Sequence, residues 1–186
     1  MIADGVDIRE IVLGDAAGLA DVLVRNRAHM APYEPPRPAD FYTEHGQRER
    51  IGTALADRDA GRTRQYVLVD TETDGGGAPL LGTITLQNIV RGPLCSASVG
   101  YWIDGERTGR GLASAALAEV IRVARDELGL HRLAAGTLLD NLASQRVLAK
   151  AGFEEYGVAP RYLYIDGAWR DHRLFQLLLH DDPPAA

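Results

Sequence analysis

Arg107-Thr108-Gly109-Arg110-Gly111-Leu112-Ala113-Ser114 is the stretch with the plainest chemical reading in the chain. It follows an apolar run, Val99-Gly100-Tyr101-Trp102-Ile103, and opens a long helical pattern. Two glycines and small residues at a strand-to-helix turn leave several backbone N–H groups open at a helix N-terminus. Those donors and the positive end of the helix dipole make a site for phosphate. An arginine on either side of Gly109 adds positive charge. The loop reads as the cradle of a pyrophosphate; the plainer alternative is a glycine-containing turn that only starts a helix. Two familiar phosphate loops do not fit. A dinucleotide fingerprint needs a third glycine where Ser114 stands and an acidic residue about 20 positions on. A Walker A spacing fails from both Gly105 and Gly109.

The elements that must position this loop follow from periodicity and punctuation. Residues 6–13 read as a strand. Asp15 is an expected N-cap for a helix over 16–27, with Leu19, Leu23 and Val24 on one side. His29 to Pro38 carries four prolines, which cannot continue a helix. This stiff loop between two helices is either a wall of a substrate site or a spacer. Thr43 is placed to cap a second helix that buries Ile51 and Leu55 and ends at Gly61. Strands are expected over 65–71, 80–90 and 94–103, with a glycine-rich hairpin loop at 74–79. Short turns between them imply an antiparallel meander. A clean amphipathic helix spans 112–128 and stops at Gly129. A strand over 133–138, a helix over 142–151 closed by Gly152, and two long strands over 153–165 and 168–179 complete the pattern. Asp166-Gly167 between the last two is a strong hairpin signal, and the tail from Asp181 is expected to fray.

Composition narrows the class. The chain has 186 residues, enough for one domain over 1–186 with a full core. The single cysteine, Cys95, forbids an intrachain disulfide and fits a reducing, cytoplasmic setting. No apolar run approaches the ~18 residues of a membrane span, and no signal peptide is visible. A net charge of −6 argues against non-specific nucleic-acid binding.

The order β-α-α-β-β-β-α-β-α-β-β, together with the loop at 107–114, resembles the GNAT superfamily of N-acetyltransferases. Their motif, Gln/Arg-x-x-Gly-x-Gly/Ala, wraps the pyrophosphate of acetyl-CoA. Gly111 and Ala113 take its small positions, and Thr108 stands where Gln or Arg is usual. Further segments resemble the ribosomal-protein-alanine N-acetyltransferase branch: Asn26 to Pro35, Asn88 to Gly92, Asp140-Asn141-Leu142-Ala143-Ser144 with Lys150-Ala151-Gly152-Phe153, and Tyr162 to His172. Together these cover most of the chain.

The resemblance implies an α/β (α+β) GNAT fold: a mixed, mostly antiparallel sheet that splays apart near its middle strands, flanked by helices. The pantetheine arm would pair with the exposed strand edge as an extra strand. It implies acetyl-CoA as cosubstrate, with no metal. Tyr101, Trp102, Ile103 and the loop from Arg107 through Thr108, Gly109, Arg110, Gly111, Leu112, Ala113 and Ser114 would hold it, and Asn141 would bond the pantetheine unless it serves only as a helix cap. Backbone N–H groups over 99–102 would polarise the thioester carbonyl. Many relatives place a Tyr in the last helix as acid; here that position is Leu148. Ser144 takes the role in the ribosomal branch, or is only a first-turn helix residue. A Glu often found as base is replaced by Ser98. Glu34 and His29 remain as base candidates, working through water, or else they and Tyr33 only shape the acceptor site. Cys95 lacks the local base that a nucleophilic cysteine needs and reads as a small apolar strand residue.

The missing base is informative. An α-amino group has a pKa of about 8 against about 10.4 for lysine, so roughly a tenth of the former is neutral at pH 7. That is about 3 kcal/mol of barrier an N-terminal acetyltransferase need not supply. The resemblance implies acetylation of a protein N-terminus, such as that of a ribosomal protein, by direct transfer in a ternary complex, and a substrate of that kind makes a strong base dispensable. A small-amine acetyltransferase and a non-catalytic acyl-CoA sensor stand as alternatives, and whether the chain works alone or as a homodimer stays open.

Overall fold

The computed structural model describes residue 2 and residues 5–72 and 79–183. Most of the glycine-rich loop expected at 74–79 and the last three residues of the expected frayed tail lie outside the described residues. Among the described residues, seven strands form one sheet: β1 (Val6–Glu10), β2 (Arg64–Asp70), β3 (Leu80–Val90), β4 (Ser96–Ile103), β5 (Arg132–Leu138), β6 (Glu154–Ile165) and β7 (Ala168–Leu178), in the order β1-β2-β3-β4-β5-β7-β6. Four helices flank it: α1 (Ala16–Met30), α2 (Glu44–Asp59), α3 (Leu112–Arg122) and α4 (Leu142–Lys150).

The helices divide into two layers. Leu19, Val22, Leu23 and Met30 of α1 and Ile51 of α2 pack on Val67 and Val69 of β2. On the other face, Leu112, Ala116, Leu117 and Val120 of α3 and Leu148 of α4 pack on Leu68, Ile84, Leu86, Val99 and Leu133. A sheet covered on both sides explains why β2 reads as a continuous apolar run rather than an alternating one.

Every strand pair is antiparallel except β4 with β5. That parallel pair holds for three rungs only, ending at Ser98 opposite Ala134. Beyond it β4 stays paired to β3 as far as Ile103, and β5 stays paired to β7 as far as Leu138. The sheet is therefore split down its middle, as expected, and Val99 to Ile103 present a free backbone edge.

Local chemistry accounts for several element ends. Thr43 Oγ1 accepts from the Gly46 N–H at 3.1 Å, capping α2. At the end of α4, Gly152 sits at φ +87° and the Phe153 N–H returns to the Leu148 carbonyl, which seats Phe153 in the core. Asp166 and Gly167 both take positive φ in the two-residue turn joining Ile165 to Ala168, as a type I′ hairpin requires.

Four expectations need correction. The first strand stops at Glu10, and Asp15 does not cap α1 with its side chain. Arg9 competes for that carboxylate, donating at 2.8 and 2.6 Å, and the Val12 N–H donates to it as well. The helix expected over 112–128 is α-helical only to Arg122. A π turn then runs from Val123 to Glu127, closed by the Leu128 N–H on the Val123 carbonyl. The wider turn lets the adjacent residues Val123 and Ala124 both face the core. Cys95 is buried but lies just outside β4, at φ +40°, with its thiol 3.2 Å from the Gly129 carbonyl.

Candidate active site

The split between β4 and β5 opens into a cleft of about 680 Å³ that passes from one face of the sheet to the other. On the α3/α4 side it is lined by Tyr101, Ile103, the loop 107–114 apart from Arg110, and Asn141, Ser144 and Val147. On the α1/α2 side it meets Thr83, Thr85, Gln87, Gly100 and Trp102, and then the proline loop with His29, Tyr33, Glu34 and Arg37. Two expected residues stand apart from the lining: Arg110 is exposed beside the loop, and Ser98 is paired at the last rung before the split.

The loop's conformation suits an anion. Gly109 and Gly111 take φ +75° and +79°, a region costly for side-chain-bearing residues. Gly111 is the N-cap of α3, and the first intrahelical bond is made by Ala115 to its carbonyl. The N–H groups of Leu112, Ala113 and Ser114 thus precede the ladder and have no helical acceptor. An added Cβ at Gly109 or Gly111 would meet open space, so the requirement for glycine is conformational rather than a matter of room. These donors, with the unpaired edge of β4, fit the diphosphate and amide-rich arm of coenzyme A.

What holds the loop was not legible in the sequence. Arg107 points inward, its Nη2 2.9 Å from Oδ2 of Asp70, which is 4% exposed. Asp104, 2% exposed, accepts from Arg25 Nη2 at 2.5 Å and from the Glu106 N–H at 3.2 Å. Buried Asn26 accepts from the Gly105 N–H at 2.8 Å while donating to the Val22 carbonyl. Three buried polar groups therefore brace the turn, and Arg110 beside it has no ion-pair partner among the described residues.

Burial alone would raise the Asp104 carboxyl, but hydrogen bonds from Arg25 and the Glu106 N–H outweigh it and hold the group below the usual carboxylate range. A carboxyl depressed in the folded state contributes stability that is present above its unfolded value near 3.9 and lost as pH falls through the lower folded value. Asp104→Asn is thus expected to be less stable than the parent at pH 7. Its stability should fall less steeply between about pH 4 and 2, as followed by circular dichroism of acid unfolding.

The model of the acetyltransferase (GNAT) domain matches residues 6–154. The chain belongs to the GNAT acetyltransferase family. It is 32% identical to the [ribosomal protein uS5]-alanine N-acetyltransferase of Escherichia coli, over 99% of this chain and 93% of that protein. The crystal structure of a ribosomal-protein-S5-alanine acetyltransferase from Vibrio fischeri superposes with a TM-score of 0.91 at 34% identity, covering 95% of this chain and 94% of that one. Mycobacterium smegmatis RimJ in complex with CoA-disulfide superposes with a TM-score of 0.85 at 32% identity, covering 93% and 81%.

In this GNAT enzyme the groups nearest the expected reacting centre come from both sides of the split. Asn141 Oδ1 accepts from the Ser144 N–H at 3.1 Å and so caps α4. Tyr101 Oη lies 3.0 Å from Ser144 Oγ. Leu148 is buried in the core and offers no polar group to the cleft. Glu34 accepts from Arg37 Nε at 3.2 Å, and the His29 ring packs against Gly105, just before the 107–114 loop. The polar row Thr83, Thr85 and Gln87 went unread in the sequence. Alternation assigns those residues to a face of β3, but nothing local says that the face opens into a cleft.

Proposed function

We propose that the enzyme acetylates the α-amino group of a protein N-terminus, of the kind carried by ribosomal proteins, by direct transfer from acetyl-CoA in a ternary complex. The observation that carries this reading is the single cleft through the split sheet. Its α3/α4 side offers an anion cradle and a free strand edge for the donor, and its α1/α2 side offers a separate approach for the acceptor. Two reactants entering from opposite faces need no covalent enzyme intermediate, and buried Cys95 lies outside the cleft lining. The named activities of the E. coli and V. fischeri relatives, and the CoA-disulfide held by the M. smegmatis one, support the same assignment.

Acetyl-CoA, when bound, supplies a thioester carbonyl for attack. Backbone N–H groups on the free edge of β4 polarise it, and Ser144 offers a hydrogen bond to the sulfur as it leaves. Glu34 is the acidic residue of the cleft lining, and Arg37 holds it. A polycationic amine finds little counter-charge there, whereas an α-amine that is already partly neutral needs little help to react.

The test is a panel of peptides with free N-termini, small amines and amino acids, assayed for release of free CoA thiol. Thiol release with peptides alone is the expected result; release with small amines alone would overturn the proposal. Ser144→Ala is expected to lower kcat about tenfold while leaving KM for acetyl-CoA within about twofold. The cap of α4 uses the Ser144 backbone N–H, so the helix survives the change.

A further inference from the structure

Tyr101 crosses the split. It lies on β4 beyond the last rung shared with β5, on the face turned toward α3 and α4. Its hydroxyl sits 3.0 Å from Ser144 Oγ and 3.3 Å from the Ser144 carbonyl oxygen. Two hydroxyls at this distance can be wired in two ways. If Ser144 donated to Tyr101, the serine proton would be spent inside the protein. If Tyr101 donates, the serine proton is free to turn into the cleft. The geometry favours the second wiring. The nearer acceptor for the phenol is Oγ. The Ser144 carbonyl belongs to the hydrogen-bond ladder of α4. Burial of the ring pushes the phenol upward from its ordinary value, outweighing the serine contact, so it keeps a proton to donate.

We propose that Tyr101 is the positioning residue of the leaving-group site: by donating to Ser144 Oγ it aims the serine O–H at the departing sulfur. This rests on the placement of Ser144 at the sulfur given under Proposed function. As the carbon–sulfur bond breaks, its electron pair settles on sulfur, which accepts the Ser144 hydrogen bond. Both hydroxyls keep their protons throughout, and the thiolate takes its proton from water afterwards. A phenol that donates to a hydroxyl strengthens that hydroxyl as a donor in turn, which is why the pair exceeds either group alone.

The experiment needs no acceptor. Free CoA is bound to the enzyme, and its thiol is titrated by the ultraviolet absorbance of the thiolate. Wild type is compared with Tyr101→Phe, Ser144→Ala and the double variant. Tyr101→Phe is expected to raise the ionisation midpoint of bound CoA by about half a pH unit to one, the worth of a single hydrogen bond. Ser144→Ala should raise it by at least as much, and the double variant should match Ser144→Ala, because the tyrosine acts only through the serine. Phenylalanine keeps the ring, so thermal unfolding should stay close to wild type. A midpoint unmoved by Tyr101→Phe, or moved equally in the Ser144→Ala background, overturns the proposal. A wild-type midpoint in Ser144→Ala removes Ser144 from the sulfur, and so overturns the leaving-group reading together with the relay built on it. Failure of wild type to bind CoA overturns the donor site itself.

Discussion

Gly111→Val is expected to raise the Kd for CoA about 100-fold, equivalent to about 2.7 kcal/mol. At φ +79° a β-branched residue is a true outlier, costing on the order of 1 to 3 kcal/mol. The chain relieves that strain by rotating toward negative φ at the residue that caps α3. The rotation swings the N–H groups of Leu112 and Ala113, which precede the helical ladder, off their common target. Binding then loses both aligned donors and their place on the helix dipole. The control is Gly92→Val in the turn between β3 and β4. Gly92 also has positive φ, at +69°, with nothing within 4 Å of an added Cβ. It shares the strain but not the cradle, so its melting temperature should drop by a similar few degrees while calorimetric CoA affinity stays at the wild-type value. Equal losses of affinity in both variants would mean that the glycine at 111 serves folding alone.

Features legible in the sequence were those whose physics is local. The strand-to-helix turn at 107–114, the Thr43 cap and the Asp166-Gly167 hairpin each depend on residues within a few positions of one another. The split sheet came from resemblance rather than periodicity, because no alternation pattern records where two strands stop pairing. The bracing of the 107–114 loop was invisible for a related reason. Asp70 lies 37 residues before Arg107, and Arg25 lies 79 before Asp104, so nothing in the local pattern links them. Arg107 therefore reads as a phosphate ligand in the sequence, whereas in the fold its charge is engaged by a buried carboxylate. Asp15 failed as a cap for the opposite reason: the local rule is sound, but a stronger donor, Arg9 on the preceding strand, reaches the carboxylate first. Tyr101 was expected at the cofactor site and lines the cleft, yet its phenol gained meaning only when α4 brought Ser144 within 3.0 Å of it.

Asn141 carries the second large prediction, because its two amide atoms divide two jobs that sequence reasoning set as alternatives. Oδ1 is spent on the Ser144 N–H, at 3.1 Å, as the cap of α4. Nδ2 donates to no acceptor among the described residues, and Asn141 lines the cleft on the donor side. One side chain can therefore cap the helix and still offer N–H groups to a carbonyl of the pantetheine arm. Alanine removes both functions. Asn141→Ala should lose about 1 kcal/mol of stability, a drop of roughly 2 to 4 °C in Tm, and should bind CoA about 20-fold more weakly. Aspartate separates the two. It caps a helix as well as asparagine does and suits the positive N-terminus of α4, but it has no N–H to donate and sets a negative charge against carbonyl oxygens. Asn141→Asp should keep the wild-type Tm and lose CoA affinity at least as far as alanine does. Calorimetry and thermal unfolding on the two variants decide the matter: wild-type affinity in Asn141→Asp would reduce Asn141 to a cap, and wild-type Tm in Asn141→Ala would remove the cap instead.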